Sequence, residues 1–195
     1  FYDTVYIWAH PIETKNPSNG GLLQSNAYQL GPNLIPFNKE IEIEFPLDSQ
    51  HYHEHLSIYH YNVANGTWHF MPSKFNHDST AISTNILSGE IFATIKETDP
   101  PILSSFIPEI NGTYYSSDIE HISFQVEDKH SGIDGETDVL VKLDGKRVIF
   151  EYNSYQKNIR YPLKYDLTKG KHTLYIKAKD RVGNKSIIEG YFYIK

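Results

Sequence analysis

The chain has 195 residues, a formal net charge of −6 and no cysteine, which excludes disulfides, thiolate metal sites and a cysteine nucleophile. Aromatic residues make up 14% and Tyr alone counts 15. No long stretch keeps the i, i+3, i+4, i+7 apolar spacing of a helix, no apolar run reaches the length of a membrane span, and no basic segment followed by an apolar one opens the chain. The β-branched and aromatic content suits pleated, half-buried surfaces, so an all-β protein is expected. A chain that begins at Phe1 rather than Met is expected to be a fragment or a processed product.

Val5-Tyr6-Ile7-Trp8 reads as a first strand. The stretch from Pro11 to Asn33 is rich in Asn, Gly, Ser and Pro and reads as a long loop before Leu34. Ile41, Ile43 and Phe45 then alternate with Glu40, Glu42 and Glu44, the period of a half-buried strand with a solvated carboxylate face. Leu56 to Tyr61 and Thr67 to Met71 flank Asn65-Gly66, a strong hairpin signal. Thr80 to Ile86 and Ile91 to Ile95 close this half around Ser88-Gly89.

Thr98-Asp99-Pro100-Pro101 marks the boundary. Two prolines cannot donate to a ladder, and each holds the preceding residue extended. Residues 1–98 and 99–195 are each close to the roughly 100 residues of an immunoglobulin-like sandwich. Charge divides with them: residues 1–98 carry four Lys or Arg against ten Asp or Glu, whereas residues 99–195 carry fourteen of each sign. An acidic first half argues against a nucleic-acid partner and against an anionic membrane surface.

In the second half Ile122, Phe124 and Val126 alternate with polar neighbours, and Val139, Val141 and Leu143 run into Asp144-Gly145, a tight hairpin signal. Val148 to Tyr152 is the expected return strand. Leu174, Ile176 and Ala178 form the next apolar face, and after a turn at Asp180–Asn184 the last strand runs from Ile187 to Ile194. Turn signals recur at the spacing of a β-sandwich. The expected fold is all-β, two tandem antiparallel β-sandwich domains over 1–98 and 99–195, the second immunoglobulin-like.

Several motifs of this half carry a family resemblance. They are Asp99-Pro100-Pro101-Ile102, Pro108 with Asn111-Gly112, Val126-Glu127-Asp128 with Ser131-Gly132-Ile133-Asp134, and Leu143-Asp144-Gly145. Gly170-Lys171-His172-Thr173-Leu174 and Asp180-Arg181-Val182-Gly183-Asn184 complete the set. In these residues the chain resembles the bacterial immunoglobulin-like and fibronectin-like modules of exported proteins. His172 stands where many such modules carry Tyr, a departure at the tyrosine corner. The first half, through Tyr28-Gln29-Leu30-Gly31-Pro32, Phe37, Ile41–Phe45, Tyr59-His60-Tyr61 and Trp68, looks like another sandwich accessory module. The pair in this order is similar to the C-terminal tail that follows some lysostaphin-type zinc metallopeptidase domains. The peptidase's own HxH and HxxxD motifs are not recognisable, so its activity is not carried over.

Two polar constellations stand out. Asp180 with Gly183 and Asn184 reads as a carboxylate-capped turn; the alternative is a calcium ligand, with Asp128, Asp134 and Asp138 as company. His51, His53 and His55, if extended, place three imidazoles on one face, a pattern that binds zinc or copper, with His60, His69 and His77 in the same half. Their setting after Pro46-Leu47-Asp48-Ser49 favours a solvated loop, with a metal site or a pH-responsive surface as alternatives. No G-x-S-x-G, H-E-x-x-H or P-loop is present, so no catalytic residue and no cofactor is assigned. Asn65, Asn111 and Asn184 open Asn-x-Ser/Thr sequons, each at a turn.

Trp68, Phe70, Phe124 and Phe192 are expected in the core. The tyrosines at 114, 115, 152, 155, 161 and 165, and the pair Tyr191 and Tyr193 on one strand face, are too many to be buried together, and exposed Tyr can stack on sugars or anchor an interface. The expectation is a non-catalytic spacer and docking unit of a secreted or cell-surface bacterial protein. Its partners would be the adjacent domain of the parent protein and a cell-wall glycan or another surface protein. The alternatives are a glycan- or cell-wall-binding module using exposed tyrosines and the accessory region of an exported metallopeptidase.

Overall fold

Alternating apolar residues become paired strands throughout the computed structural model, which describes residues 6–14, 17, 20–33, 35–48 and 54–195. The chain divides into two units, Phe1–Asp99 and Pro100–Lys195.

The first unit contains β1 (Trp8–Ile12), β2 (Gly21–Leu23), β3 (Ala27–Gly31), β4 (Pro36–Pro46), β5 (Leu56–Asn62), β6 (Thr67–Met71), β7 (Lys74–Phe75), β8 (Ala81–Ser88) and β9 (Ile91–Glu97). One antiparallel sheet runs β1-β3-β9-β5-β6, with β2 also on β9; the other runs β4-β8-β7. Phe45, Ile82 and Ile86 from the smaller sheet pack on Ile58 and Phe92 from the larger. The opposite face of the larger sheet carries Tyr59, Trp68, Ala93 and Ile95. Both sides of β5 are therefore apolar, and Ile58 and Tyr59 are both fully buried. The Glu side of β4 faces out: Glu42 accepts a hydrogen bond from Ser83 and pairs with Lys74 at 3.0 Å.

The second unit contains β10 (Ile102–Ile107), β11 (Thr113–Tyr114), β12 (His121–Glu127), β13 (Val139–Leu143), β14 (Lys146–Arg147), β15 (Glu151–Asn153), β16 (Asn158–Pro162), β17 (Gly170–Lys179) and β18 (Lys185–Ile194). Its sheets run β10-β12-β16-β15 and β11-β18-β17-β13-β14, with only the β11–β18 pair parallel. These are the A-B-E-D and G-F-C orders of an immunoglobulin sandwich, with short flanking strands. Ile122, Phe124 and Ile159 of the first sheet meet Val141, Leu174 and Ile176 of the second in one core.

Several expectations need correction. The stretch from Pro11 to Asn33 is not a long loop, since β2 and β3 lie within it. Gly31 acts through size: a Cβ on it would lie 2.0 Å from the Trp8 ring, whose strand pairs there. Among the described residues the first strand begins at Trp8, with Tyr6 and Ile7 exposed ahead of it, and Val5 lies outside the described residues. The strands expected on either side of Ser88-Gly89 are present as β8 and β9, and they belong to different sheets. Asn65-Gly66 forms half of a four-residue loop in which Gly66, at φ 70°, donates to the Asn62 carbonyl. The strand expected over Val148 to Tyr152 is split, because Val148 and Phe150 turn into the core between β14 and β15.

Candidate binding face

β17 and β18 are ten-residue strands paired along their whole length, so their outward residues form rows fixed by register. His172, Leu174, Ile176 and Ala178 are buried, which turns Lys171, Thr173, Tyr175, Lys177 and Lys179 to the other side. On β18 burial of Phe192 and Ile194 leaves Ile187, Glu189, Tyr191 and Tyr193 outward, at 54% exposure for Ile187 and 43% for Tyr193. Across the ladder Arg147 faces Lys142, Lys142 faces Tyr175, and Tyr175 faces Glu189. Thr173 faces Tyr191, and Lys171 faces Tyr193.

The cations on this surface lean on aromatic rings. The Lys142 ammonium sits 5.3 Å from the Tyr175 ring centre, and the Lys171 ammonium 4.3 Å from that of Tyr191. Each such contact contributes about 0.5–1 kcal/mol at an exposed site. Tyr191 and Tyr193 meet edge to face at 5.7 Å. Of the lysines on the face, Lys179 pairs with Asp138 at 3.0 Å. Among the described residues Lys142, Arg147, Lys171, Lys177 and Lys185 have no carboxylate within ion-pair distance. A shallow concavity of about 440 Å³ lies between Lys142 and Tyr175 on one side and Lys171 and Tyr191 on the other. Such a surface offers fixed positive charge and aromatic edges to an anionic, ring-bearing ligand.

The polar groups of the turns are engaged in folding. One oxygen of the buried Asp180 carboxylate accepts the backbone N–H of Val182, Gly183 and Asn184, and the other accepts the Asn184 side-chain amide. Burial raises its pKa above the ordinary carboxylate value, against the pull of the Asn184 and Gly183 donors, and the Asp128 carboxylate adds to the rise. Asp128 lies beside it and caps its own turn through the His130 and Gly132 N–H groups. The other two acids lead elsewhere: Asp134 pairs with Arg181 and Asp138 with Lys179. Asp180 and Asp128 are thus brought together, and Asp134 and Asp138 are each tied to a cation.

His172 is buried, stacked on Phe192 at 5.5 Å, and bonded at both ring nitrogens: Nδ1 to the Asp144 carboxylate and Nε2 to the Thr168 carbonyl, each at 2.7 Å. Both partners are acceptors, an arrangement that favours the doubly protonated ring. Burial by itself lowers the pKa, but the Thr168 and Asp144 hydrogen bonds and the Asp144 charge outweigh it and raise the pKa above the ordinary imidazole value.

In the first unit His51 and His53 lie outside the described residues. His55 is held in a turn at φ 61°, so the extended alternation does not run through it, and its ring lies 3.6 Å from Glu54. The other imidazoles pair differently: His60 stacks on His69 at 5.1 Å and meets Glu90 at 2.8 Å. His60 and Glu90 line a concavity of about 580 Å³ with Tyr61, Val63 and Ile91. Tyr155, Tyr165 and Tyr115 are exposed, at 94%, 85% and 60%, whereas Tyr152 and Tyr161 pack against the core.

The sequence reading found the tyrosines at 191 and 193 but not the lysines beside them. Equal numbers of acids and bases in residues 99–195 hide the outward basic positions of β13, β14 and β17, namely Lys142, Arg147, Lys171, Lys177 and Lys179. The signal was the alternation itself, Lys-x-Thr-x-Tyr-x-Lys-x-Lys from Lys171 to Lys179.

No helix among the described residues is long and apolar enough to cross a membrane. No protein-family model matches the chain, and no curated protein matches it. Among solved structures the chain is similar to dimeric latent PorU from Porphyromonas gingivalis, at 9% identity and a TM-score of 0.35. The match covers 87% of this chain and 21% of that one, so the chain spans about a fifth of that protein's length.

Proposed function

We propose that the chain is a non-catalytic pair of β-sandwich modules from an exported bacterial protein, serving as a spacer and docking unit for the rest of that protein. The observation that carries this reading is a contrast within the second unit. Asp180, Asp144 and His172, the groups best suited to chemistry, are consumed by turn and corner hydrogen bonds. The lysines and tyrosines of the outer β17–β18 face are directed to solvent instead. Export rests on the resemblance of the turn motifs in residues 99–195 to modules of exported proteins. The same resemblance supports a position beside a catalytic domain such as a metallopeptidase.

Incubating the purified chain with panels of peptide and glycoside substrates tests the reading. No turnover is expected. Turnover that co-purifies with the chain, and is lost on substituting one of its residues, contradicts it.

A further inference from the structure

We propose that the outer face of the β11-β18-β17-β13-β14 sheet binds a polysaccharide that carries carboxylate or sulfate groups. The inference rests on the docking reading above and names its ligand. Lys142 and Lys171 hold their ammonium groups over Tyr175 and Tyr191, and among the described residues no carboxylate lies within ion-pair distance of either. Fixed, uncompensated cations on a rigid sheet attract an anion without first breaking an ion pair. The two Lys–Tyr pairs border one concavity that spans β13, β17 and β18, two strand spacings or about 10 Å across. That width admits a single sugar chain. Thr173 and Glu189, which also line it, supply a hydroxyl and an acceptor for sugar hydroxyl groups.

Two other polyanions fit less well. Single-stranded nucleic acid needs open ring faces on which successive bases stack. Here Tyr191 and Tyr193 stand at 77° to each other, and a lysine occupies a face of Tyr175 and of Tyr191. An acidic peptide would match the lysines but leave the tyrosine edges without rings to cover.

Native gel electrophoresis of the whole chain through embedded polymer tests the proposal at physiological salt. Polygalacturonate and dextran sulfate separate the carboxylate from the sulfate source, with dextran, polyglutamate and oligothymidylate as controls. Retardation by at least one of the two acidic polysaccharides is expected, at least tenfold stronger than by any control. The double variants Lys142→Glu/Lys171→Glu and Tyr175→Ala/Tyr191→Ala should each weaken it about tenfold or more while melting as cooperatively as the parent. The single variant Lys171→Gln, at an exposed side chain, should weaken it by a smaller factor.

Absence of retardation by both polysaccharides overturns the proposal. So does equal retardation by polyglutamate or oligothymidylate, or retardation indifferent to the Lys and Tyr substitutions in well-folded variants. A chain that binds neither polymer and hydrolyses nothing loses this ligand but keeps the docking reading, whereas turnover removes the docking reading itself.

Discussion

His172 ties the start of β17 to the Thr168 carbonyl, the connection that a tyrosine hydroxyl makes at the corner of an immunoglobulin sandwich. The Asp144 carboxylate at Nδ1 favours the charged form of the ring. A histidine whose pKa is raised on folding stabilises fully below its unfolded value near ~6.5 and loses that contribution as pH rises through the folded value. The thermal midpoint of the second unit should therefore fall as pH rises from slightly acidic through that window, and the His172 ring should titrate above the ordinary value by NMR. In Asp144→Asn the titration should move down and stability should drop by about 2 kcal/mol below pH 6.5. Asp180→Ala should cost roughly 3 kcal/mol in denaturant unfolding, since it strips the acceptor from three turn N–H groups. The capping role of Asp180 was legible in sequence because its partners lie within four residues. The Asp144–His172 pair was not, since twenty-eight residues separate its members and only strand register brings them together.

At the scale of elements, legibility followed periodicity. β4, β12, β13 and β17 alternate cleanly and were readable, as was the turn at Asp144-Gly145, where both residues have positive φ. Gly145→Ala should cost about 1 kcal/mol through backbone strain, because a Cβ there meets nothing within 4 Å. Ile176→Ala, at a fully buried centre of the sandwich, should cost about 3–4 kcal/mol in the same measurement. The short strands were missed for a different reason. β2, β3 and β16 have three to five residues each and owe their conformation to a partner's ladder rather than to a pattern of their own. In β16 Ile159 alone is fully buried.

At the scale of the whole molecule, the two halves differ in what they leave uncompensated. The first carries the net negative charge of the chain, and the second is neutral in sum but places Lys142, Arg147, Lys171, Lys177, Lys179 and Lys185 at outward positions of one sheet. Residues 100–195 hold a complete two-sheet core, so that segment expressed alone should unfold in one cooperative transition; a non-cooperative melt by circular dichroism would count against it. The proposed role puts the work of this chain on the outer β17–β18 face. The most direct test is amide NMR of the labelled chain titrated with galacturonate oligosaccharides. Saturable shifts are expected at Lys142, Thr173, Tyr175 and Tyr191, with β12 and β16 on the opposite sheet unmoved. Shifts centred on β12 and β16, or none at saturating ligand, would contradict it.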